Sequence, residues 1–312
     1  MPQLPRTRYG YGCNPDRPSS HYPRIFLQVA GLPTKQDRFA AGLPPIWDQG
    51  QLGSCTSHGL LRAYMFAATK AGKPVDMLSR LMLYYDERAL EQTTETDAGA
   101  AIADGVSTLE SDGVALETTW PYDIAQYTVK PPNNAYSEAK NFEVLKAAKI
   151  EPTPGQIKAV LATGWPVVIG FTCYPGLELP TTASTGMVPL PGPYERPIGG
   201  HCVCCNGFYD DSLATIGFDN SWTQNWGNGG TGYLPYGYFT QGLVSDCWAI
   251  YNVESGDLPA PTPNPTPPTP QPAPAGKTIT VTSEFSIGTL EWFHGTTNTN
   301  VPVVGIYRSS TP

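Results

Sequence analysis

Apolar residues follow a helical spacing in the stretch that begins at Cys55. They form one stripe at intervals of three or four residues, made of Leu60, Leu61, Tyr64, Met65 and Ala68. Ser54 is a capping residue type at the start of this helix, and Gly72 marks its end. The pattern predicts a second helix from Ser79 and a third after Asp97.

The second half of the chain changes to short apolar runs separated by turn residues. A helix is predicted after Pro154, and the apolar run at 165–171 reads as a buried strand. Strands are also predicted in the segments HCVCCNGF, SLATIGF, GTGYLPYG and CWAIYNV. Because helices come first and strands follow, the sequence predicts an α+β fold with two lobes.

Composition shifts divide the chain into four parts. Residues 1–45 are rich in Pro, Arg, Tyr and Gly, and we expect an extended arm on the surface that could also cover a cleft. The main domain is predicted over 46–256, and the alternating prolines of 257–276 predict a semi-rigid linker. Alternating apolar residues predict a small β module at 277–312, which at 36 residues is shorter than most segments that fold alone.

Charge and hydropathy narrow the classes of function. The net charge is −8 and no basic run occurs, which argues against a nucleic-acid partner. An apolar core is available, since 40% of residues are apolar, yet no run is long enough to predict a membrane span. The polar start lacks a signal-peptide core, which favours a cytoplasmic or phage- or virion-associated protein over a secreted one.

The seven cysteines do not form the two CxxC pairs of a four-cysteine structural zinc site, so the usual signature of such a site is missing. Cys202, Cys204 and Cys205 stand beside His201, which raises the alternative of a metal cluster. Adjacent strand residues point to opposite faces, so packed thiols are the favoured interpretation. No metal and no organic cofactor are predicted, and the default is a mostly reduced protein.

Three segments carry residues suited to acyl transfer. Cys55 lies at a predicted helix N-terminus, where unpaired N–H groups and the helix dipole favour a thiolate. Gly199-Gly200-His201 opens one predicted strand, and Asn220-Ser221-Trp222 opens a glycine-rich stretch. Together they supply a nucleophile, a proton carrier and a polar partner for it.

These segments resemble the motifs of papain-like cysteine peptidases. QGQLGSC, GGH and NSW followed by NWGNGGTGY occur in the family's order over about residues 46–253. The resemblance implies the two-lobed papain-like fold, with Cys55 as nucleophile, His201 as base and Asn220 as the residue that orients the imidazole. It also implies that Gln49 stabilises the oxyanion, that Trp222 shields the Asn–His hydrogen bond and lines the substrate site, and that Gly99 lines the substrate cleft.

The sequence also departs from the family pattern. Leu52 and Thr56 stand where relatives often carry Cys and Trp, so the usual disulfide beside the active site is not expected. Asp219 directly precedes Asn220, which leaves a negative charge to be explained. His58 is an alternative partner for Cys55, although its spacing favours a place in the core or in the substrate wall.

The function expected from these residues is hydrolysis of peptide bonds in a peptide or protein substrate through a thioester, taken as endopeptidase activity. Two alternatives stay open: a hydrolase of peptidoglycan peptides or an acyl transferase with the same residues, and an inactive structural or binding relative. The linker and tail suggest contact with a cell wall or an assembly.

A histidine is needed to activate the thiol. A strongly activated thiol lies about 4 pKa units below a free one, which takes roughly 5.5 kcal/mol. A helix terminus contributes at most about 2 kcal/mol. We therefore expect a Cys55 thiolate paired with a His201 imidazolium near neutral pH.

Overall fold

The structure is a computed structural model that describes residues 9–17, 22–39, 42–142, 146–251, 279–287, 290–297 and 302–308. The α-helices are α1 Cys55–Lys70, α2 Arg80–Glu91, α3 Ile102–Ser111, α4 Asn133–Ala139, α5 Pro154–Ala162, α6 Pro180–Thr185 and α7 Tyr236–Thr240. The strands up to Tyr251 are β1 Cys13–Asn14, β2 Lys35–Gln36, β3 Ala100–Ala101, β4 Lys146–Lys149, β5 Val167–Cys173, β6 Gly199–Asp210, β7 Thr215–Asp219, β8 Thr231–Pro235 and β9 Val244–Tyr251. These elements confirm the predicted α+β class. None of the described helices is long and apolar enough to cross a membrane.

Helix α1 is the buried centre of the helical part and begins at Cys55, as the periodicity predicts. Its residues are buried from Cys55 to Ala68. The predicted cap by Ser54 is wrong, because the Ser54 hydroxyl lies 2.6 Å from the hydroxyl of Tyr122 and caps no backbone N–H. The helix predicted from Ser79 is α2, and Ser79 caps it, since its Oγ accepts a hydrogen bond from the Met82 N–H at 3.1 Å.

The strands of the main sheet confirm the predicted apolar runs and place the candidate residues. The sheet runs in the order β4-β9-β5-β6-β7-β8, with β2 added at the end of β6, and all its pairs are antiparallel. Strand β6 lies inside the sheet and packs against α1. His201 is therefore carried on the strand next to the helix that begins at Cys55, and Asn220 follows the last residue of β7.

The arm contains two differently placed segments. The cleft segment, which we define as residues 9–14, is buried at Gly12 and Cys13 and half-buried elsewhere, and its β1 pairs in parallel with β3. The anchored segment, residues 22–39, lies against the sheet and α5. There Gln156 Oε1 accepts from the Leu27 N–H at 2.9 Å, and Gln156 Nε2 donates to the Leu27 carbonyl at 3.0 Å. The arm is thus not confined to the surface.

A second compact unit lies within residues 265–312. It is a three-stranded antiparallel sheet made of β10 Ile279–Ile287, β11 Leu290–Thr297 and β12 Pro302–Arg308. The strands predicted in the tail are confirmed. The predicted linker at 257–276 and the predicted domain end at 256 lie outside the described residues.

Candidate active site

Cys55 and His201 are both fully buried, at 0% exposure. The backbone groups of Cys202 on β6 and of Gly12 in the cleft segment lie next to the Cys55 sulfur. Because Cys202 is the neighbour of His201, the structure brings the predicted nucleophile to the strand that carries the predicted base.

The imidazole of His201 is held by the residues that follow β7. His201 Nε2 lies 2.8 Å from Asn220 Oδ1, and the indole of Trp222 stacks on the imidazole with centroids 4.8 Å apart. An amide oxygen only accepts, so Nε2 carries the proton in the neutral ring. His201 Nδ1 then bears the free lone pair, and it has no hydrogen-bond partner among the described residues.

Gln49 directs its side-chain amide into the cleft. Nε2 donates to the carbonyl of Leu52 at 2.8 Å and to the carbonyl of Gly10 at 2.9 Å. Its Oε1 accepts from the Ser221 hydroxyl at 2.5 Å, which fixes the amide in this orientation. The donor predicted for an oxyanion therefore already holds a peptide carbonyl.

Aromatic residues of the cleft segment cover the site. Tyr9 stacks on Trp222 with centroids 3.9 Å apart and an interplanar angle of 6°. Tyr11 meets His201 edge-on at 6.0 Å, and its hydroxyl donates to Glu178 at 2.8 Å. A cavity of about 480 Å³ lies beside Tyr9 and Trp222.

The backbone of the cleft segment pairs with the strand that follows Gly99. The Ala100 N–H donates to the carbonyl of Gly12 at 2.7 Å. A Cβ at Gly99 would lie 2.1 Å from that carbonyl oxygen, and Gly99 has φ +72°. Both predicted substrate-binding residues, Gly99 and Trp222, thus contact the cleft segment.

Burial favours the uncharged forms of Cys55 and His201. Burial, followed by the neighbouring Cys13, raises the pKa of Cys55, and the backbone hydrogen bonds do not offset this effect. Burial lowers the pKa of His201 to about 4, against the favourable hydrogen bond to Asn220. The covered site therefore holds a neutral thiol and a neutral imidazole near pH 7, so the expected ion pair stays a prediction for the open cleft.

Two arginines account for the charge of Asp219. Asp219 Oδ2 lies 2.7 Å from Arg62 Nε and 2.6 Å from Arg38 Nη2, and the Asn206 amide donates to Oδ1 at 2.7 Å. Although burial opposes ionisation, the arginines lower the pKa of Asp219. This buried network holds the end of β7, where Asn220 begins. Sequence reasoning missed it, because its members are far apart along the chain.

His58 belongs to the core and not to the catalytic constellation. Its Nδ1 lies 2.8 Å from the Ser54 carbonyl, and its ring packs edge-on against Tyr122. Burial lowers the pKa of His58 to about 3. The cysteines beside His201 are buried free thiols, and the described residues contain no group of three or more His, Cys, Asp or Glu side chains suited to a metal ion.

Comparison with known proteins gives a consistent result. No protein-family model matches the chain. An uncharacterized peptidase C1-like protein from Acanthamoeba polyphaga mimivirus is 40% identical over 216 residues, which cover 66% of this chain and 69% of the relative. Xylellain, a cysteine protease from Xylella fastidiosa, is 31% identical with a TM-score of 0.73, over 81% of this chain and 100% of that one. Procathepsin L 3 from Tenebrio molitor shares the fold, with 17% identity and a TM-score of 0.57 over 78% of this chain and 76% of that one.

Proposed function

Because the chain belongs to the papain-like family of cysteine peptidases and acts on peptides or proteins, we propose that Cys55 and His201 perform its chemistry. Once the cleft segment has left, less burial raises the pKa of His201 and lowers that of Cys55. The Cys55 thiolate then attacks the carbonyl carbon of a substrate peptide bond. The His201 imidazolium donates its Nδ1 proton to the leaving amine, and water hydrolyses the thioester with His201 as base.

Preorganised donors stabilise the charge that develops on the substrate. Gln49 Nε2 and the Cys55 N–H are proposed to donate to the oxyanion, because donors fixed before the reaction need no reorganisation. Asn220 keeps the His201 ring in the tautomer that frees Nδ1. Trp222 covers that hydrogen bond and lines the cleft.

One observation carries the proposal: a peptide backbone already lies in the groove. Its Gly10 carbonyl is bound by Gln49, and its Gly12 backbone faces the Cys55 sulfur. The groove therefore accepts an extended chain at the thiol, as hydrolysis of a peptide requires.

The test combines turnover of a peptide library with labelling by a thiol-directed epoxide. We expect stoichiometric labelling of Cys55 in the unaltered protein and no turnover after Cys55→Ala. His201→Ala should lower both labelling and turnover by at least about 100-fold. Cys247→Ala is the matched control, because it removes a buried thiol of β9 outside the site. Unchanged turnover after Cys55→Ala would contradict the proposal.

The same library separates the substrate classes. Faster cleavage of casein-derived peptides than of peptidoglycan peptides supports a general peptidase, and the reverse order supports the cell-wall alternative. The inactive-relative alternative predicts neither labelling of Cys55 nor turnover.

We further propose that the parts predicted from composition divide the work, with 46–256 as the catalytic domain and 277–312 as an attachment module for a wall or assembly. The proline-rich composition of 257–276 and the separate β10–β12 sheet support this division. Deleting 257–312 should spare turnover on short peptides, and a large loss of turnover would contradict the attachment role.

A further inference from the structure

Four buried thiols lie near one another where the arm crosses β6, the strand that carries His201. The Cys13 thiol donates to the Asn14 carbonyl at 3.9 Å, and the side chains of Cys13, Cys55 and Cys202 lie close enough to interact electrostatically. Cys173 on β5 interacts with Cys13 and Cys55 in the same way. The arm therefore brings its single cysteine into the sulfur cluster of the active site.

The sheet leaves space for the Cys13 side chain. Gly170 on β5 is the direct partner of Cys202 on β6, and directly opposed strand residues share a face. A Cβ at Gly170 would lie 3.0 Å from Cys13 Sγ, so the thiol fills the space that glycine leaves open beside Cys202. The Cys13 backbone is also close to β6, since a Cβ at Gly200 would lie 2.1 Å from the Cys13 carbonyl oxygen.

We propose that Cys13 and Cys202 form a reversible disulfide that locks the cleft segment over Cys55 under oxidising conditions. The proposal deepens the proposed function, because the group it protects is the Cys55 nucleophile. The bond would join the arm covalently to the strand that carries His201. Cys55 itself would stay reduced. It would become accessible again when the Cys13–Cys202 disulfide is reduced.

The oxidant is a low-molecular-weight disulfide such as oxidised glutathione. When the cleft segment lifts, the Cys13 thiolate attacks one sulfur of the oxidant, forms a mixed disulfide and releases one glutathione thiolate, which takes up a proton. The Cys202 thiolate then attacks the Cys13 sulfur and releases the second glutathione. Two protein thiols are thereby oxidised to one disulfide while one disulfide is reduced to two thiols.

Cys202 is the partner that the contacts favour over Cys55. The Cys13 sulfur lies beside Gly170, the direct cross-strand partner of Cys202, whereas the Cys55 sulfur faces backbone groups of Gly12 and Cys202. When the cleft segment lies in the cleft, the Cys13 sulfur is therefore next to Cys202.

The first test needs no peptidase activity. The full chain carrying Cys55→Ser is incubated with oxidised glutathione, digested without reduction and analysed by mass spectrometry. We expect a mass loss of two hydrogens and a cross-linked peptide pair that contains Cys13 and Cys202. Detection of no internal disulfide, or of pairs that omit Cys13 or Cys202, would overturn the proposal.

The second test uses the otherwise unaltered chain and measures whether oxidation restricts access to Cys55. Oxidised glutathione should slow epoxide labelling of Cys55 by about tenfold or more, and a reductant should restore the rate. The slowing should vanish in Cys13→Ser and Cys13→Ala, and it should persist in Cys205→Ser, a matched change on β6. If oxidised glutathione slowed labelling equally in the Cys13 variants, Cys55 itself would be oxidised, and the proposed Cys13–Cys202 disulfide would be overturned. A peptidase that failed to cleave peptides could still show the cross-link, so the two proposals fail separately.

Discussion

Tyr11→Ala tests whether the cleft segment controls access to Cys55. Tyr11 contacts His201 and Trp222 edge-on and donates a hydrogen bond to Glu178. The alanine variant removes these contacts without altering any residue proposed for catalysis. We expect the cleft segment to leave the cleft more often.

The magnitude follows from what the half-buried ring contributes. Burial of a large apolar side chain is worth about 1.5–3 kcal/mol when complete, and about half of that is appropriate here. Edge-on aromatic pairing adds about 0.5 kcal/mol and the partly exposed hydrogen bond about 1 kcal/mol. A total of about 2–3 kcal/mol raises the open fraction roughly 30- to 150-fold.

The assay is the second-order rate of Cys55 alkylation by a small epoxide, because Cys55 is inaccessible in the covered state. Tyr11→Phe, which removes only the hydroxyl, should accelerate labelling about fivefold, from a loss near 1 kcal/mol. Tyr194→Ala is the matched control, since Tyr194 is 96% exposed and lies outside the cleft segment.

Equal labelling rates in Tyr11→Ala and the unaltered protein would refute the reasoning. They would mean that Cys55 is reached by a route that does not involve displacement of the cleft segment. Acceleration by Tyr194→Ala as well would point to general loosening of the fold.

Three further predictions follow from the same contacts. Gly12→Ala should accelerate Cys55 labelling, because its Cβ would lie 1.9 Å from the Gly53 carbonyl oxygen, and unchanged labelling would contradict the close fit. Asp219→Asn leaves the buried Arg62 without its carboxylate, so it should lower the free energy of unfolding in urea by about 3–5 kcal/mol. A loss below about 1 kcal/mol would show that water or another group compensates the charge of Arg62. In the Cys55→Ala variant, where no thiolate shares the proton, burial lowers the pKa of His201 to about 4 in the covered state, against about 6.5 for an exposed imidazole. The covered state of this variant binds a proton less readily than the open state, so opening should increase as the pH falls from about 6.5 towards 4. Amide hydrogen exchange of residues 10–14, corrected for its intrinsic pH dependence, measures this trend, and protection that rises as the pH falls would contradict it.

Local patterns predict α1, α2, α3 and α5, the strands β5–β9 and the order of the site residues, but not the short helices α4, α6 and α7. The stripe after Cys55 predicts α1, because one apolar face must be buried along a helix. The run at 165–171 predicts β5, because a strand inside a sheet buries both faces. Cys55, His201 and Asn220 could be chosen because each lies in a short motif.

Other features depend on contacts that no local pattern encodes. The cleft segment is held largely through its backbone, as in the hydrogen bond from Ala100 to Gly12, so its side chains give little signal of its place. The ion pair of Arg62 with Asp219 joins residues 157 positions apart. Ser54 fails as a cap because Tyr122 is available to its hydroxyl, which only the tertiary structure reveals.

The double hydrogen bond between Gln156 and Leu27 has a consequence for how inhibition responds to dilution. While the anchored segment stays attached, the cleft segment acts at a fixed local concentration, which short tethers typically set in the millimolar range. Its return to the cleft is then unimolecular and does not depend on the amount of protein. A single backbone cut between residues 14 and 22 would turn it into a free ligand, whose occupancy falls as the solution is diluted.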